Sequence, residues 1–137
     1  MAVVKELIRS EKDGTLSFGD FTLNTKSKLS DFAHGGDMYK VKTFYEITKL
    51  ERNGSFVYES VPGTAVNNFE AADDGVSFMV EGKEDAQITL ELEEGASYDI
   101  SINGEDAGTM KTNMGGKLVL SVEFDGGKPV TVNVKKA

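Results

Sequence analysis

The chain has 137 residues, a formal charge of −8 at neutral pH and no cysteine. A domain of this length buries roughly two-thirds of its unfolded surface and needs no covalent staple, while the missing thiols exclude disulfides, thiolate metal sites and a cysteine nucleophile. The acidic field repels phosphate backbones and anionic lipid, so the expected partners include neither nucleic acid nor membrane.

The charge is unevenly placed. Residues 1–62 hold nine acidic and nine basic side chains, whereas residues 63–137 hold 14 and six, so the excess belongs to the second part. At the amino terminus, Lys5, Glu6 and Arg9 interrupt what would be the apolar core of a signal peptide, and no stretch approaches 18 apolar residues. The expectation is a soluble, cytoplasmic protein.

In chain order, residues 3–9, 15–18 and 21–25 are expected strands, with Asp13-Gly14 supplying a tight turn. Residues 26–36 are expected to form a loop, with one helical turn capped by Ser30 or Asp31 and ended by Gly35-Gly36. Over 37–50, Tyr39, Val41, Tyr45 and Ile47 share one parity, and the adjacent Phe44-Tyr45 predicts a bulge or a strand covered on both faces. Asn53-Gly54 predicts a primed hairpin turn and Pro62-Gly63 a type II turn.

Beyond Gly75 the apolar residues recur with a period of two: Ile88, Leu90 and Leu92, then Tyr98, Ile100 and Ile102, then Leu118, Leu120, Val122 and Phe124, then Val130, Val132 and Val134. Polar residues interleave them, as on half-buried strands. About twelve short strands with regular turn signals point to an all-β fold, an antiparallel β-sandwich, in one domain. Residues 1–62 are expected to add strands to the same sheets as residues 63–137.

The segment Leu92-Glu93-Glu94-Gly95-Ala96-Ser97-Tyr98 resembles the corner between the fifth and sixth strands of fibronectin type III and immunoglobulin-like modules, with glutamate at the position of the usual proline. The resemblance implies that residues 63–137 form an immunoglobulin-like part, in which the Tyr98 hydroxyl bonds backbone a few residues upstream while Leu92 fills the preceding core position. Residues 64–135, through Asn103-Gly104, Gly108, Thr112-Asn113 and Gly115-Gly116-Lys117-Leu118, are similar to small sandwich modules appended to bacterial carbohydrate-processing enzymes. The full chain resembles small proteins of anaerobic gut bacteria that share YKVKTFYEITKLERNG, VYESVPGTAV and EDAQITLELE, some labelled endosialidase. A sialidase grips its sugar carboxylate with three arginines. This chain has only Arg9 and Arg52, so the label implies no activity that one chain could assemble.

Three classes of function remain. The expected one is a non-enzymatic module for ligand binding or assembly, with a carbohydrate-linked role and no cofactor. Its candidate glycan-binding residues are Tyr39, Tyr45 and Tyr58, with Phe56 nearby and Lys40 and Lys42 beside them; the competing role of such rings is core packing. A glycan hydrolase using paired carboxylates is the alternative, with Asp73-Asp74, Glu93-Glu94 and Glu105-Asp106 as the pairs, though turns are where solvated carboxylates normally lie. These clusters lack the ligand spacing of a calcium loop, and His34, the sole histidine, has no recognisable catalytic partner motif. The third class is a homo-oligomer that pairs through edge strands.

Overall fold

The structure, a computed structural model, describes residues 3–124 and 127–137. Thirteen strands run through them: β1 (Ile8–Ser10), β2 (Leu16–Phe18), β3 (Ser27–His34), β4 (Asp37–Thr43), β5 (Thr48–Arg52), β6 (Ser55–Val61), β7 (Thr64–Ala72), β8 (Gly75–Gly82), β9 (Ala86–Glu91), β10 (Ser97–Ile102), β11 (Glu105–Lys111), β12 (Lys117–Val122) and β13 (Val130–Lys136). They form two antiparallel sheets, ordered β1-β2-β7-β8-β13-β10-β11 and β12-β9-β6-β5-β4-β3. The protein is an all-β sandwich, consistent in layout with immunoglobulin-like and fibronectin-like modules.

The period-two pattern places the core. Val76, Phe78, Val80, Ile88, Leu90, Tyr98, Ile100, Leu118, Leu120, Val122, Val132 and Val134 are all buried, while Met79 and Val119, of the other parity, are exposed. Ile100 and Leu120, at 2% and 5% exposure, sit between the sheets. Each strand therefore turns one parity inward, as the pleat requires. At the corner between β9 and β10, the Glu93 amide donates to the Tyr98 hydroxyl at 3.1 Å, and Leu92 packs against the core half-buried.

Several local expectations are corrected. Residues 26–36 are mostly β3 rather than loop. The strand was hidden because Leu29 and Phe32 both lean on the core yet lie three apart. A register shift between them, with Asp31 at φ 58°, inserts the extra residue of a bulge. Within residues 3–9 only the end is strand, and residues 21–25 are turn and bend. There the Asp20 carboxylate accepts from both the amide and the hydroxyl of Thr22, which turns the chain.

Phe44 and Tyr45 lie in the connection between β4 and β5, not in a bulged strand. Asn53 and Gly54 both have positive φ, as a primed turn demands. Gly63 does not, so the Pro62-Gly63 turn is not type II. Its lack of a side chain serves close packing instead, since a Cβ there would lie 2.0 Å from the Phe44 carbonyl oxygen. At this point the chain leaves β6 in one sheet and enters β7 in the other.

Candidate functional site

The residues singled out from sequence separate in space. Tyr58 is fully buried and Tyr39 is 8% exposed, so both rings belong to the core and offer no ligand surface. Tyr58 packs edge-to-face on Phe18, Phe69 and Phe78 and bonds the Thr64 hydroxyl at 2.8 Å. Burial holds its phenol far above the ordinary tyrosine range, although the hydroxyls of Thr64 and Ser60 oppose the shift. Tyr45, 51% exposed, stands at the corner after β4 with its ring against Phe44. Lys40 and Lys42 alternate with the buried Tyr39 and Val41 and so project from the outer face of the six-stranded sheet.

That outer face carries a lysine field. Lys28 on β3 stands directly opposite Lys42 on β4, and Lys42 directly opposite Lys49 on β5. The row continues through Glu59 on β6 and Thr89 on β9. Beside it, Lys40, Glu51 and Phe56 face one another across β4, β5 and β6. The Lys117 ammonium lies 5.5 Å from the centre of the Phe56 ring, and both border a shallow depression of about 290 Å³ with Lys49, Ser55, Glu59, Thr89 and Glu91. Partial burial pulls the Lys42 ammonium below the usual lysine range, and the nearby charges of Lys26, Lys49 and Lys28 add to the effect.

The seven-stranded sheet presents the opposite sign. A transverse row joins Glu70, Ser77, Asn133, Ser101 and Asp106, each the direct neighbour of the next across β7, β8, β13, β10 and β11. These residues line an open depression of about 720 Å³ together with Asp74, Asp99 and Lys135. Its shape is held by local bonds. Thr109 donates to the Asp99 carboxylate at 2.7 Å, and the Gly108 amide donates to the Asp106 carboxylate at 2.8 Å. Four carboxylates against one ammonium make this depression acidic.

Other candidate chemistry is placed as follows. The Ser10 hydroxyl lies 2.7 Å from His34 Nδ1, while His34 Nε2 lies 3.1 Å from the Gly14 carbonyl. Only a protonated Nε2 satisfies that carbonyl, so Ser10 donates to Nδ1 when the ring is neutral. The pair borders neither depression and ties the edge strands β1 and β3 together. Asp73 and Asp74 lie in the turn between β7 and β8. Glu93 and Glu94 lie at the tyrosine corner, where Glu93 pairs with Lys136. Glu105 and Asp106 open β11. Among the described residues no group of three or more histidine and acidic side chains is placed to hold a metal ion, and no helix is long and apolar enough to cross a membrane.

Sequence reasoning missed most of the lysine field. Its signal was the alternation Lys26-x-Lys28 and Lys40-x-Lys42, which puts like charges on one face once both segments are strands. No protein-family model, curated protein or solved structure matches this chain. The endosialidase label gains no support from them, and Arg9 and Arg52 stand on strands of different sheets.

Proposed function

We propose that the protein is a non-enzymatic binding module whose lysine field takes a carboxylate-bearing glycan. The observation that supports this reading is the direct cross-strand opposition of Lys28, Lys42 and Lys49. Like charges facing each other in a sheet destabilise it, so a row of three is a liability for the fold and an asset for an anionic ligand. Lysine ammoniums are mobile point charges rather than fixed forks, which suits a polymer bearing carboxylates at intervals. Phe56 offers an apolar surface beside the cations for the less polar face of a sugar ring. The two-sheet layout and the tyrosine corner support reading residues 64–135 as an immunoglobulin-like module of the kind appended to carbohydrate-processing enzymes.

Affinity electrophoresis through gels containing an acidic polysaccharide, and through gels containing the same polymer after carboxyl reduction, tests the reading. The protein is expected to be retarded by the acidic polymer alone, less so as salt is added, and not at all as K42E/K49E. Equal mobility in both gels overturns it.

A further inference from the structure

We infer that the lysine field also receives the acidic face of a second copy of this chain, giving head-to-tail association through the broad faces of the sandwich. The inference rests on the reading of that field as a carboxylate receptor, and it names a protein occupant for it. Charge complementarity selects the partner. The outer face of the seven-stranded sheet carries Glu70, Asp74, Asp99 and Asp106 against Lys135 and Lys111, and the outer face of the six-stranded sheet carries Lys28, Lys40, Lys42, Lys49 and Lys117 against Glu51, Glu59 and Glu91. The two fields point in opposite directions from one core.

Geometry adds to charge. Glu70, Ser77, Asn133, Ser101 and Asp106 run across their strands, as do Lys28, Lys42 and Lys49. Rows of both kinds advance by the inter-strand spacing, roughly 4.8 Å; the lysines occupy three adjacent strands, whereas Glu70 and Asp106 close the two ends of their row with Ser77, Asn133 and Ser101 between them. The mutual repulsion of two chains of charge −8 acts over longer distances than these contacts. Salt with a Debye length of roughly 8 Å damps it first. Because the contact uses two different surfaces, it is heterologous and does not close on itself, so each added copy leaves both kinds of face open. A glycan on the lysine field and a second copy exclude each other.

Sedimentation velocity on two half-blocked variants tests this. K28Q/K42Q/K49Q keeps only the acidic face and E70Q/D99N/D106N only the lysine face. The wild type is expected to show mass rising with concentration at moderate salt and reverting to monomer at high salt. Each variant alone is expected to be monomeric, and an equimolar mixture to form dimers and nothing larger, which also shows that both variants are folded. A wild type that stays monomeric throughout, or a mixture that does not dimerise, overturns the inference. The glycan reading is judged separately, because E70Q/D99N/D106N retains the lysine field and is retarded by the acidic polymer whether or not copies associate.

Discussion

Thr48 holds both backbone groups of Thr64, donating its hydroxyl to the carbonyl at 2.7 Å and accepting from the amide at 3.1 Å. Its single proton is thereby committed, so Thr43, 2.8 Å away, donates to it and accepts from the Asp20 amide. This buried chain of hydroxyls satisfies the backbone where the polypeptide passes from one sheet to the other. Thr48→Val leaves two buried groups of Thr64 unpaired, at about 1–3 kcal/mol each. Urea unfolding is expected to show a lower midpoint at unchanged slope, against a small change for the surface variant Thr25→Val.

The buried phenol of Tyr58 sets an alkaline limit. Its folded pKa is raised, whereas an unfolded tyrosine ionises near 10, so above that pH the unfolded state releases a proton that the native state keeps. Stability from this group is complete below about pH 10 and falls above it, by roughly 1.4 kcal/mol per pH unit. Unfolding midpoints measured across that range are expected to fall less steeply for Tyr58→Phe, once its own loss at neutral pH is subtracted.

Tyr98→Phe keeps the ring in the core and removes only the acceptor of the Glu93 amide. The expected loss is about 0.5–1.5 kcal/mol, since the corner is partly open to water. Amide exchange at Glu93 is expected to accelerate, while the even-numbered positions of β10 stay protected.

Lys42→Gln is expected to stabilise the fold while weakening acidic-polymer retention. The ammonium faces Lys28 on one side and Lys49 on the other, and relieving one such opposition is worth about 0.2–1 kcal/mol. Lys111→Gln, opposite Ser97 on β10, is the control and is expected to change neither quantity. Thermal unfolding paired with affinity electrophoresis reads both effects.

Much of the architecture could be read from alternation alone. Ile88, Ile100, Leu118 and Val132 declare their faces because nothing interrupts their strands. β3 could not be read this way, since the bulge at Asp31 gives Leu29 and Phe32 the spacing of a helical face. That one misreading concealed Lys28, and with it the row that continues to Lys49. Tyr39 and Tyr58 are core rings for a reason the same alternation carries: Tyr39 shares its parity with Val41, which points inward. The acidic row was beyond sequence reasoning, because β13 lies between β8 and β10 and brings Asn133 next to Ser77 across more than fifty residues of chain.

With opposite signs on its two broad sides, the molecule carries an electric dipole perpendicular to its sheets. It therefore meets a charged surface with a preferred side down, whatever its overall sign. On a cation-exchange matrix at a pH well above the isoelectric point of about 4.7 that its composition gives, a uniformly acidic protein flows through; this one is expected to be held back, lysines against the resin.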